Sequence, residues 1–316
     1  LTNNLATDSL AASANAFGLY GRWVRSLVIS GNQCGDPNNP GHGCAPATSR
    51  FEYNQRKVYD ELGVEKGGVG IELHGYSAQG QNDEGITISS SQFADNEYAG
   101  LLLEDVDQSH IFNNVFSNNG VSNPPVAADD GPSVLLLDSD NNQFHRNSIG
   151  GTAGTYGLII YSSEPGSSDS GQVSEQNWVY LNRFIVDAKL GAIWDYGTND
   201  HYGFKNSWGV NCPATPNSPC AWSDVVYPLG NPEMTVNNQL ASTGGGVGVG
   251  MRITRGRGVT IYNNDIGNLD LDPLIDENPF YGGIYLEEDN TIDLINENLA
   301  TQVLNNKVVN NHLHQI

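Results

Sequence analysis

Apolar and polar residues alternate in short runs that recur along the whole chain. The runs are GLYGR at 18–22, GIELH at 70–74, GLLLE at 100–104, VLLLD at 134–138, GLIIY at 157–161, GAIWD at 191–195, GMRIT at 250–254 and GIYLE at 283–287. Most open on glycine. Period-two alternation of this length predicts a β-strand with one buried face. After a variable gap each run is followed by a second motif: VISGNQC, TISSSQF, IFNNVF, FHRNSI, VYLNRF, TVNNQL, IYNNDI and VLNNKV. Aligning these motifs sets Asn32, Ser91, Asn114, Asn147, Asn182, Asn238, Asn264 and Asn306 in one column. Two places later stand Cys34, Phe93, Phe116, Ile149, Phe184, Leu240, Ile266 and Val308. One motif order repeated with Asn at a fixed phase predicts a parallel solenoid, whose coils stack about 4.8 Å apart so that equivalent side chains line up. The apolar column is expected to fill the interior, and the Asn column to hydrogen-bond along the stack. A meandering antiparallel sandwich has equally short strands but gives no reason for the fixed motif order.

The alternation followed by I-x-x-N-x-[IFV]-x-x-N resembles the right-handed parallel β-helix repeat of the pectate-lyase-like superfamily, over roughly residues 17–311. That superfamily includes polysaccharide lyases, C5-epimerases, β-helix glycoside hydrolases and phage tailspikes. The resemblance implies an all-β fold of about eight or more coils and leaves the chemistry open. The tract HYGFKNSWG at 201–209 is similar to an epimerase motif but lacks the Asp-Pro-His that follows it there. Residues 1–316 read as one domain, complete or a segment of a larger secreted chain.

Charge narrows the partners. With 36 acidic and 14 basic residues the net charge is −22, which repels phosphate backbones and argues against nucleic acid. No apolar run approaches the roughly 18 residues of a membrane span. Cys34 with Cys44, and Cys212 with Cys220, bracket Pro/Asn/Gly-rich stretches and read as two local disulfides. A secreted or cell-surface protein is expected from them.

Insertions are uneven. Long ones follow the first strand near 163–175, 197–232 and 288–301, and precede it near 35–67, 118–132 and 267–281. Two loop sets would flank one sheet and make it the floor of a cleft. On that floor alternation sets Leu102, Leu136, Ile159 and Ile193 in an outward apolar stripe, with Glu72, Arg252 and Tyr285 in the same row. Such a stripe calls for a loop lid or a homo-oligomer contact. The next outward row reads Arg22, His74, Glu104, Asp138, Tyr161, Asp195, Thr254 and Glu287.

Glu104, Asp138 and Asp195 are therefore the candidate catalytic carboxylates, at coil spacings that suit glycosidase acid and base pairs. Tyr161 would orient them or donate a proton, and His201 in the large insertion would be an alternative acid–base group. Substrate contacts are expected from Glu72, His74, Trp194, Tyr196, Tyr202, Lys205, Trp208, Arg252 and Tyr285. The leading expectation is cleavage or transfer of glycosidic bonds in a polysaccharide or oligosaccharide, with no cofactor required. A second is a lyase or C5-epimerase on a uronate polymer, assisted by Ca²⁺ at Asp138 and Asp140. A third is a non-catalytic glycan-binding, adhesin or structural solenoid.

Overall fold

The computed structural model describes residues 5–7, 17–22, 26–31, 49–59, 65–75, 85–121, 131–163, 174–188, 190–203, 239–241, 249–254, 259–262, 265–267, 284–287, 302–304 and 307–309. Within them the chain is a right-handed parallel β-helix. Handedness follows the rule for parallel crossovers. Three parallel sheets of eight, eight and nine strands run the length of the molecule, and each coil visits them in turn. The first sheet holds the alternating runs, from Phe17–Arg22 and Val69–His74 to Ile284–Glu287. The second motif of each coil splits into two short strands, one in the second sheet and one in the third, as in Thr87–Ser89 and Ser91–Ala94. The bend between them falls on a residue with left-handed backbone: Ser90, Asn113, Arg146 and Leu181 have φ between 50° and 57°. Arg56–Tyr59 and Glu65–Gly67 add an antiparallel hairpin outside the coils.

The expected apolar column exists, with one substitution at its start. Phe93, Phe116, Ile149, Phe184, Leu240, Ile266 and Val308 are in register, but their neighbour at the N-terminal end is Phe51, itself preceded by Ala6. Phe51 replaces Cys34 in the column because Ser49–Glu52, not the segment after Ser30, supplies that strand. All four cysteines lie outside the described residues. Phe51, Phe93 and Phe116 stack with ring centroids 5.4 and 4.6 Å apart. A methyl group on Gly70 would lie 2.5 Å from the Gly100 carbonyl and 3.1 Å from the Phe93 ring, so the stack dictates the small residue that opens the run.

Asn32, Asn238, Asn264 and Asn306 of the Asn column lie outside the described residues; from Asn114 to Asn182 the column is a buried ladder. Asn147 Oδ1 accepts from both the backbone and side-chain nitrogens of Asn114 at 3.0 Å, and Asn182 Oδ1 serves Asn147 in the same way. Each Nδ2 also donates to a carbonyl of an adjacent coil: Ile88, Ile111 and Phe144. Two further ladders, Asn54–Asn96–Asn119 and Asn142–Asn177, do the same at other corners. The three corners thus satisfy backbone groups that a strand-only ladder would leave unpaired.

Candidate active site

Register decides which side chains the first sheet presents. Leu101 pairs with Val134 and Glu104 with Leu137, so the VLLLD run sits one residue out of phase with GLLLE. Ile159 pairs with Trp194 and Ile160 with Asp195, so GAIWD is displaced from GLIIY by one residue in the opposite sense. The two outward rows are therefore Tyr20, Glu72, Leu102, Leu135, Ile159, Trp194, Arg252, Tyr285 and Arg22, His74, Glu104, Leu137, Tyr161, Tyr196, Thr254, Glu287.

Three expectations change with that register. Asp138 leaves the floor for a turn, where φ is 48° and its carboxylate accepts from the Ser163 backbone nitrogen at 2.7 Å and from the Ser163 hydroxyl. Asp195 points into the coil and is fully buried. Leu136 and Ile193 point inward as well, and Leu135 and Trp194 take their places in the stripe beside Leu102 and Ile159. Glu104 is thus the one expected catalytic carboxylate on the floor.

It belongs to a polar cluster at the N-terminal end of the face. The His74 ring lies between two carboxylates: Nε2 is 2.5 Å from Glu72 Oε1 and Nδ1 is 2.7 Å from Glu104 Oε2. Two facts of register build it, because Glu72 and His74 are successive outward residues of one strand and Glu104 pairs with His74 from the next. Burial opposes charge on the ring, but hydrogen bonds to Glu104 and Glu72, with their negative charges, outweigh it and push the His74 pKa up to about 9. On the other side Tyr20 pairs with Glu72 and Arg22 with His74. Arg22 Nε donates to the Tyr20 oxygen at 2.6 Å, and the Tyr20 ring centroid is 5.5 Å from that of His74. Tyr20 was missed as a catalytic candidate although it occupies the same outward row as Glu72.

The remaining candidates lie elsewhere. Tyr161, Trp194, Tyr196, Arg252 and Tyr285 share the outer face of the first sheet further along the axis. His201 faces outward on the second sheet, stacked on Trp178 at 4.0 Å, where burial lowers its pKa to about 4. Tyr202 is buried inside the coil. Lys205 and Trp208 lie outside the described residues. Asp140 sits on the turn beyond Asp138, its Oδ1 accepting from the Glu175 backbone nitrogen at 2.8 Å, and burial with the charge of Asp107 pushes its pKa up to about 7. Among the described residues no group of three or more His, Cys, Asp or Glu side chains is arranged to hold a metal ion. Among the described residues no helix is long and apolar enough to cross a membrane.

Asp195 and Asp200 form a second, enclosed carboxyl pair beside Tyr202. Burial raises both, Asp195 to about 6 against the 2.6 Å bond from the Gly197 nitrogen, and Asp200 further because Asp195 charges beside it. A carboxyl raised in the folded state stabilises fully below its unfolded pKa of about 3.9, and that contribution disappears as pH climbs through 6. Asp195→Asn should therefore raise stability above pH 6 by on the order of 1–3 kcal/mol, with the gain vanishing near pH 4. Denaturant titrations across that range check the sign, and a variant less stable than the parent at neutral pH would mean the pair is ionised and bridged.

No protein-family model matches the chain, and no curated protein matches it in sequence. Similar solved structures include a periplasmic alginate epimerase, AlgG, at 14% identity over 86% of this chain and 47% of that one, with a TM-score of 0.44. An alginate lyase from Paenibacillus sp. str. FPU-7 is 9% identical over 93% of this chain and 87% of its own, with a TM-score of 0.37. The chain spans about half the length of that epimerase.

Proposed function

We propose that this chain is an extracytoplasmic polysaccharide-modifying enzyme that transfers a proton beside a uronate carboxylate, as a lyase or C5-epimerase. The observation that carries the reading is His74, held as an imidazolium between Glu72 and Glu104 next to the Tyr20–Arg22 pair. In a chain of net charge −22, Arg22 offers positive charge where a sugar carboxylate would sit, and the His74 imidazolium offsets one of the two carboxylates that flank it. Such charge stabilises the enolate-like state formed when the proton on the adjacent carbon leaves. The Tyr20 oxygen, steadied by the Arg22 hydrogen bond, exchanges that proton. Glu72 and Glu104 fix the imidazolium in place. Elimination then breaks the bond to the neighbouring glycosidic oxygen, which takes the proton now on Tyr20, whereas epimerisation delivers a proton from water to the opposite face of the carbon while Tyr20 keeps the one it removed.

Hydrolysis is the second reading. It needs a carboxyl that stays protonated near neutral pH within reach of the glycosidic oxygen. Glu72 and Glu104 are both engaged by the His74 ring, and Asp195 is enclosed. Asp140, at about 7, is the residue that favours hydrolysis, but it stands on a turn outside the two outward rows.

The test incubates the chain with alginate, polygalacturonate and a neutral xylan, in the presence and absence of Ca²⁺ and in deuterated water. Ultraviolet absorbance of unsaturated ends reports elimination, and deuterium uptake at uronate carbons reports epimerisation. One of these signals is expected from a uronate polymer, reduced about 100-fold or more in Tyr20→Phe. Reducing ends without unsaturation would establish hydrolysis instead. No change in any polymer would overturn the enzymatic reading.

A further inference from the structure

We infer that the aromatic cluster Tyr161–Trp194–Tyr196, with Arg252 beside it, is a distal subsite that grips a uronate-bearing glycan laid along the helix axis, several sugars away from the proton-transfer cluster. The choice of a uronate polymer rests on the function proposed above.

The outer face of a helix sheet open to water is ordinarily polar. Here it changes character along the axis. The polar cluster occupies the first three coils, an apolar floor of Leu102, Leu135, Leu137 and Ile159 follows, and the aromatic side chains begin at Tyr161. All of these residues belong to two rows in one register, so the floor is continuous. Tyr161 and Tyr196 are cross-strand partners with nearly parallel rings, centroids 5.1 Å apart and planes at 17°. Trp194 meets the edge of Tyr161 at 5.8 Å and donates from Nε1 to Thr254 Oγ1 at 3.1 Å, which fixes its indole plane. The Arg252 guanidinium lies over that plane, 4.9 Å from the ring, and donates from Nη1 to the Tyr156 hydroxyl at 3.3 Å. Tyr161, Trp194, Tyr196 and Arg252 are each half-buried: held by neighbours, yet reaching solvent.

This combination matches the chemistry of a uronic acid polymer. The C–H faces of pyranose rings pack on aromatic and aliphatic surfaces, and a site of this kind uses few polar groups to set orientation. Arg252 is the basic side chain of the outward rows beyond His74, positioned to meet a carboxylate beside a stacked sugar. The spacing fits as well. Tyr161 and Tyr196 stand two and three coils beyond Glu104, roughly 10 and 14 Å at 4.8 Å per coil, close to the length of two and three sugar units. A glycan that reaches both sites therefore needs about five or more sugars, and shorter oligomers lose the distal grip.

Affinity electrophoresis of the full chain through gels containing alginate tests the subsite. Tyr196→Ala and Arg252→Gln should each weaken retardation about tenfold, with unchanged thermal unfolding and no effect of Arg252→Gln on any binding to neutral hydroxyethylcellulose. Trp194→Phe, which keeps a ring on the face, should weaken binding less than Tyr196→Ala. On oligomers of graded length, the gain in kcat/KM between trimer and hexamer should flatten in Tyr196→Ala. Alginate binding equal to the parent in both variants, or no retardation of the parent itself, overturns the subsite. A shift of Tyr196→Ala from oligomer to monomer in light scattering also overturns it, because the face would then be a contact between copies. Alginate binding lost in the variants without turnover in the parent leaves the subsite standing and removes the proposed chemistry. Turnover with parental length dependence in the variants does the reverse.

Discussion

Asn147→Ala should lower the stability of the protein by roughly 2–4 kcal/mol, the largest loss expected from truncating one polar side chain here. Asn147 is fully buried and joins three coils: it accepts twice from Asn114, and it donates to the Ile111 carbonyl at 2.9 Å and to Asn182 Oδ1 at 3.1 Å. Alanine keeps the fold of the backbone but deprives the Asn114 amide of its acceptor and opens a polar void too deep for bulk water to fill cheaply. Asn118 provides the comparison: its 3.3 Å bond to Asp95 is exposed and its backbone is left-handed at φ 53°, so Asn118→Gly, which keeps that backbone, should cost a few tenths of a kcal/mol at most. Because a solenoid is stabilised by contacts between neighbouring coils, the Asn147 loss should reach cooperative unfolding as a whole and not stay local. Circular dichroism during heating checks both variants. Equal melting temperatures for the two would mean that the ladder is not what holds the corner.

The same ladder shows what the sequence makes legible. Asn114, Asn147 and Asn182 are fixed by a period that survives variable gaps, because stacked side chains must repeat their chemistry coil after coil. The phase within a strand is a subtler property. GLLLE and VLLLD look alike because both end in an acid, yet Gly100 lies level with Ser133 and Asp138 with Asp105, where both aspartates take the left-handed turn backbone. In the same way the glycine of GAIWD lies level with Tyr156, not with Gly157. A one-residue slip turns every side chain to the opposite face, which moved Asp138 and Asp195 from the floor to a turn and to the interior. Glycines and acids misled the alignment because both also serve turns. The size of the inward residue, Leu103 beside Leu136 and Ile160, follows the true register. Glu72, His74 and Glu104 were legible as outward residues, but their mutual bonding depends on rotamers that alternation does not specify.

His74→Gln should reduce turnover by about 100- to 1,000-fold on whichever polymer the parent modifies, since glutamine preserves size and one hydrogen bond but carries no charge. The pH dependence identifies the reason. His74 titrates near 9 because Glu72 and Glu104 hold its protonated form, so the imidazolium persists throughout the neutral range. If that charge is needed to offset Glu72 and Glu104 beside the sugar carboxylate, the parental rate should fall as pH rises through 9, and this alkaline limb should be absent from the residual activity of His74→Gln. Stability moves with the same proton. A histidine raised above its ordinary value of about 6.5 contributes in full below that value, and the contribution is lost as pH passes through 9. The parent should therefore lose denaturant resistance between neutral pH and about pH 10 by more than the variant does. Glu104→Gln removes one of the two carboxylates that hold the proton and should shift both the kinetic limb and the imidazole titration seen by NMR to lower pH. A purely structural histidine would alter stability without moving the alkaline limb of the rate. A parental rate that stays level through pH 9, or a Glu104→Gln titration unchanged from the parent, would take the charge on His74 out of the reaction.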